Sequence, residues 1–179
     1  MPDLANTVAS DWPESVLRIV TSAPMPGIGS GPSCAKTSQG IEALETTTEV
    51  PDEVLAGLWL LAGDLDRSHA ISQGIKTPDG SYLHGIMHRR EGDFSNAKYW
   101  FRNAGTHAIQ HKLAEFASSA HGQLAGRGLP MDRLGRANQL GETIVDLSAQ
   151  VVSKKTLPWQ ADLERICWWE MELILQHCL

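Results

Sequence analysis

Two Gly-Asp dipeptides, Gly63-Asp64 and Gly92-Asp93, stand 29 residues apart, each between two helix-periodic segments. Glycine accepts the left-handed turn that ends a helix; after the first dipeptide Asp66 is expected as the N-cap of the next helix, with Asp64 satisfying turn amides. Before the first dipeptide, Leu55, Leu58, Trp59 and Ala62 recur at the i, i+3, i+4, i+7 spacing of a buried helix face. Pro51, Asp52 and Glu53 ahead of them suit a first helical turn. A shorter helix is expected after it, carrying Leu65, Ser68, His69 and Ser72. Superposing the two dipeptides sets Ala56 opposite Gly85, Leu65 opposite Phe94 and Ser68 opposite Ala97. Small residues at 56/85 and 68/97 let antiparallel helices cross closely. The chain is therefore expected to build two hinged helical hairpins, the second over LHGIMHRREGDFSNAKYWFR, residues 83–102.

The rest of the chain also reads as helix and loop, with no segment alternating as a strand. Asp11 and Glu14 have capping-box spacing around Pro13, which predicts a short helix over about 12–20. Residues 21–40 are rich in Gly, Pro and Ser and are expected to form a flexible or extended surface segment. Gly27, Gly29 and Gly31 lie there, but no Gly-Lys-Ser/Thr follows, so a phosphate loop is not the expectation. TPDG, residues 77–80, reads as a turn. Further helices are expected near 107–119, near 132–153 and from about Pro158 onward, with a Gly-rich loop, HGQLAGRGLP, between the first two. The fold class is all-α: antiparallel helical hairpins in one compact domain over 51–179, preceded by an N-terminal part, 1–50, of one short helix and the irregular segment.

The hairpin pattern resembles the tetratricopeptide helix–turn–helix, matched in the second unit by Gly85, Gly92, Asp93, Phe94, Ala97, Phe101 and Ala104. The match covers about 50 residues and two units, fewer than a solenoid needs. It departs from the family at His84 and His88, which occupy positions the family fills with Leu and Tyr. The strings LAGDLDRSHAISQ and HGIMHRREGDFSNAKYWFR, with the Trp- and Glu-rich last helix, also resemble an uncharacterised family of small all-helical bacterial and fungal proteins. That resemblance implies a helical fold and assigns no activity.

A net charge of −6 argues against a general nucleic-acid or anionic-membrane binder, since either needs a basic face. No apolar run approaches the length of a membrane span, and residues 1–20 do not read as a signal peptide. Three cysteines, Cys34, Cys167 and Cys178, without a CxxC pair fit a reducing, cytoplasmic setting better than a disulfide framework.

The chemistry concentrates in the second hairpin. His84 and His88 are one turn apart on one helix face, and Glu91 continues that face. Two imidazoles and a carboxylate suit zinc, iron, nickel or manganese. A zincin would carry Glu after the first histidine, where Gly85 stands. The same groups can act as acid or base without a metal, or can simply be buried and hydrogen-bonded to Asp64, Asp66 or backbone. His69 falls on the inward stripe of the first unit and can converge on the pair as a fourth ligand or catalytic group. Arg89 and Arg102 are candidates to orient a small anionic substrate, with Tyr99 a further substrate contact; of the neighbours Tyr99 and Trp100, one must face the partner helix or a pocket. The competing reading pairs the arginines, Arg90 among them, with Asp64, Asp66, Glu91 and Asp93. His107 and His111 read as surface residues, His121 and His177 carry no pattern, and Cys167 reads as a buried, inert thiol.

Two functions of different class follow. One is a small enzyme or small-molecule binder with an inter-helix His/Glu/Arg pocket, divalent-metal dependent. The other is a helical-repeat module for a protein partner, its histidines structural.

Overall fold

The computed structural model describes residues 12–47, 49–119, 128–154 and 157–179. Ten α-helices run through them: α1 (Glu14–Ser22), α2 (Ala35–Thr47), α3 (Asp52–Ala62), α4 (Leu65–Ser72), α5 (Pro78–Glu91), α6 (Phe94–Ala104), α7 (Ala108–Ser119), α8 (Met131–Leu134), α9 (Leu140–Ser153) and α10 (Gln160–Cys178). A 3-10 turn, Ala137–Gln139, precedes α9, and no strand occurs among the described residues. None of these helices is long and apolar enough to cross a membrane.

Both Gly-Asp hinges close in the same way. Gly63 and Gly92 have φ of 82° and 96°. The Asp64 amide donates to the Trp59 carbonyl and the Asp93 amide to that of His88, each reaching back across the turn. The Asp64 carboxylate then accepts from the Arg67 amide, and that of Asp93 from the Asn96 amide, each at 3.1 Å. The cap of α4 is thus Asp64, while Asp66 lies exposed in the first turn. A Cβ at Gly92 would meet nothing within 4 Å, so only its backbone angle resists a side chain there. Gly92→Ala is expected to lose about 1–2 kcal/mol in urea unfolding; a loss of only a few tenths would contradict the left-handed hinge.

The hinges fold α3 onto α4 and α5 onto α6, and α4 packs against α5. Ala56, Ser68 and Ala97 are fully buried at the crossings. A Cβ on Gly85 would approach the Phe101 ring at 3.1 Å, and one on Gly141 would reach 2.7 Å. Phe101 therefore joins α5, α6 and α9 through two glycines. α10 lies across α3, α5 and α7 and buries Leu163, Ile166, Leu173 and Ile174, as its apolar pattern requires.

Three sequence expectations change. Residues 35–47, read partly as irregular segment, form α2, whose Thr37, Ile41 and Leu44 are buried and which packs on α1 and α3. With three buried positions and Gly40 inside it, α2 carries little periodic signal. The helix expected near 132–153 is interrupted at Gly135 and resumes at Leu140 after the 3-10 turn. TPDG is the start of α5: Thr77 Oγ1 accepts the Gly80 amide and Pro78 begins the helix, where its missing N–H does no harm. Asp11, His121 and most of the HGQLAGRGLP loop lie outside the described residues.

Candidate functional site

His84 and His88 face inward from α5, with His69 of α4 beside them. His84 is 3% exposed, His88 6%, and His69 is half-buried. Ring centroids are 4.8 Å apart for His69–His84, 5.4 Å for His69–His88 and 4.7 Å for His84–His88. One ring nitrogen from each of the three can be chosen so that all lie within 4.8 Å of one another. Trp100 of α6 stacks on His84 at 4.1 Å, with the ring planes 11° apart.

The histidines differ in their partners. His88 Nδ1 lies 3.0 Å from Glu91 Oε1, and the Asn96 amide nitrogen lies 3.0 Å from His88 Nε2. His84 Nδ1 is buried with no hydrogen-bond partner among the described residues, a rare condition for a buried polar atom. Burial, reinforced by His88, His69 and Lys76, pushes the His84 imidazole down to about 4. At neutral pH it is uncharged, the form that ligates metals.

Three imidazoles and a carboxylate backing one of them form a coherent donor set. Zinc–nitrogen bonds are about 2.0–2.1 Å long, so the ring nitrogens must draw together by roughly an ångström to share one ion. Glu91 sits against His88 Nδ1, where a carboxylate fixes the orientation of an imidazole whose other nitrogen ligates. A second group of three, His88, Glu91 and Asp93, also lies within 4.8 Å, but Asp93 is committed to capping α6.

The remaining candidates go elsewhere. Arg89 is buried and ion-paired with Glu170 of α10, so it cannot meet a substrate anion at the histidines. Its partner is none of the four nearby acids the sequence suggested. Arg102 is exposed and bonds Glu142 of α9 through Nε at 3.1 Å and Nη2 at 2.6 Å. Tyr99 is 55% exposed, and it is its neighbour Trp100 that meets the histidines. Arg90 donates to the Leu60 carbonyl rather than to a carboxylate. Lys76, in the loop between α4 and α5, adds the smallest electrostatic push on His84, and its Nζ donates to the Gln73 carbonyl at 3.1 Å.

Sequence reasoning also missed two buried groups. Tyr82 OH donates to Glu170 Oε1 at 2.9 Å while Arg89 takes Oε2, so one carboxylate joins two helix faces inside the core. His107, read as a surface residue, is buried: its Nε2 lies 2.7 Å from Asp79 Oδ1, and His177 Nε2 lies 3.2 Å from the same oxygen. These residues are far apart in the chain, and no local spacing announces them. His111 is exposed, as expected. Cys167 is buried, and its thiol is pushed up to about 11 by burial, consistent with an inert role.

No family model matches the chain, and no curated protein or solved structure matches it either.

Proposed function

We propose that the protein binds a divalent transition-metal ion through His69, His84 and His88, with Glu91 orienting His88, and presents that ion to a small anionic molecule. The reading rests on the partnerless buried Nδ1 of His84 inside a cluster of three histidines. A nitrogen donor buried without a partner is unfavourable, and an ion ligated in this cluster relieves it. Three protein ligands leave a coordination position open, the arrangement of catalytic rather than structural zinc sites. A divalent ion held by these residues would supply Lewis-acid chemistry, polarising an oxygen and lowering the pKa of water. Lys76 supplies the positive charge that draws an anion to this mouth, in place of Arg89 and Arg102, which are held elsewhere. Trp100 forms an apolar wall against His84. Hydrolysis or lyase chemistry on an anionic substrate is the enzyme class this supports.

A second reading has its own observation. His88 already has Glu91 and Asn96 as partners, which suits a structural histidine in a helical-repeat interaction module.

Elemental analysis of protein purified without a histidine tag separates the two. The metal reading expects about one ion per chain and a melting temperature roughly 10 °C higher with zinc at a thousandfold excess over Kd. His84→Ala and His88→Ala are expected to lose both effects. His69→Ala, at a half-buried position, should lose the ion while keeping the fold. If the wild-type chain carries no metal and neither zinc, nickel nor manganese raises its melting temperature, the interaction-module reading stands instead.

A further inference from the structure

Arg89 and Arg90 are adjacent buried guanidiniums, and Glu170 serves only the first. Arg90 is 6% exposed. Its Nη1 donates to the Leu60 carbonyl, its Nε has no partner, and no ion pair with a carboxylate joins it among the described residues. A guanidinium keeps its charge in proteins, so Arg90 is a buried cation. A buried charge without a counter-charge is strongly unfavourable and calls for an anion.

Space for one exists. Arg90 lines a cavity of about 330 Å3 roofed by the Gly-rich segment between α1 and α2. A Cβ on Gly27 or Gly31 would meet nothing within 4 Å, so side chains there would not be excluded by the protein itself. Ile28 is buried and pins the segment, while among the described residues no backbone carbonyl bonds the amides of residues 27–31. Two of the large apolar side chains most exposed to solvent, Met25 at 52% and Val152 at 56%, stand on the same cavity. Cys34, half-buried just before α2, is also part of the wall. Glu164 of α10 also lines the cavity, its carboxylate accepting from Gln160 Nε2 at 2.9 Å and not from Arg90.

We propose that this cavity binds a small organic anion, a carboxylate or phosphate monoester, with its oxyanion against Arg90 and its apolar part over Met25 and Val152. A charged floor with an apolar mouth selects amphiphilic anions over inorganic ones and over neutral chains. The site shares no residue with the histidine cluster and stands independently of the metal reading.

Cys34 reports occupancy in the unmodified protein. Hexanoate, hexyl phosphate, acetate and hexanol are compared at matched ionic strength, and alkylation of Cys34 by iodoacetamide is followed by peptide mass spectrometry. Hexanoate or hexyl phosphate is expected to slow Cys34 alkylation about tenfold and to raise the melting temperature by about 5 °C at a hundredfold excess over Kd. The larger effect of the two identifies the head group. Acetate should act weakly and hexanol not at all. Arg90→Met should abolish the anion effects; should that variant fail to fold, Val152→Asp, at the exposed rim, should weaken both. Equal protection by hexanol and hexanoate would overturn the proposal. So would no anion effect together with a large destabilisation by Glu164→Gln, which would make Glu164 the counter-charge of Arg90.

Discussion

Glu170→Ala is expected to destabilise the protein by about 3–5 kcal/mol, because it strands the Arg89 guanidinium in the core. Glu170 is fully buried, and its two oxygens take Tyr82 OH and Arg89. Burial alone would push the arginine down, but the Glu170 carboxylate holds it above its ordinary value. Burial and the same carboxylate raise the Tyr82 phenol. Removing the acid leaves a cation and a hydroxyl unsatisfied at once, and a fall in melting temperature of roughly 10 °C should follow. Glu170→Leu combined with Arg89→Met should recover most of the loss, because an apolar pair of similar volume leaves no buried charge behind. Urea unfolding of the two single variants and the double variant measures the coupling. A coupling near zero would show that the ion pair does not hold α5 to α10.

Acid should weaken the metal-free protein well before its carboxylates titrate. His84 is held down to about 4 against an ordinary 6.5, so between these values the unfolded chain takes up a proton that the folded chain refuses. Stability conferred by the neutral ring is therefore complete above pH 6.5, falls as pH drops toward 4 and levels off below. The window is worth about 2–3 kcal/mol, the opening beside half-buried His69 allowing some screening. His107 acts in the same direction, because burial outweighs the opposing pull of Asp79. Urea unfolding at a series of pH values, with chelator present, tests this. His84→Asn should flatten the slope, and an unchanged slope would locate the titration elsewhere.

The two hinges show how far local chemistry reaches. Gly63 and Gly92 act within a few residues of themselves, so their left-handed turns are legible from spacing alone, whereas the cap of α4 falls on Asp64 and not on Asp66 as the sequence suggested. The inward turn of His84 and His88 was legible too, because helical periodicity carries them onto the packed face beside Gly85. The path of α2 was not legible: its three buried side chains gain their meaning only from α1 and α3. Nor could the sequence choose between Tyr99 and Trp100, neighbours that point about 100° apart on a helix. Which one meets the histidines depends on where α6 lies against α5 and α4.

By itself, then, the sequence determined the all-helical class, the two hairpins and the helix face that carries the paired histidines. These follow from 3.6-residue periodicity and from glycine and aspartate at helix ends, which are properties of adjacent residues. The tertiary structure decided which charges are free. Arg89 belongs to Glu170, 81 residues away, and Arg102 to Glu142, 40 residues away. Among the described residues no acid pairs with Arg90, and His107 is drawn inward by Asp79. A charge is satisfied by whatever the fold sets within about 4 Å of it, and only packing the helices together determines that neighbour.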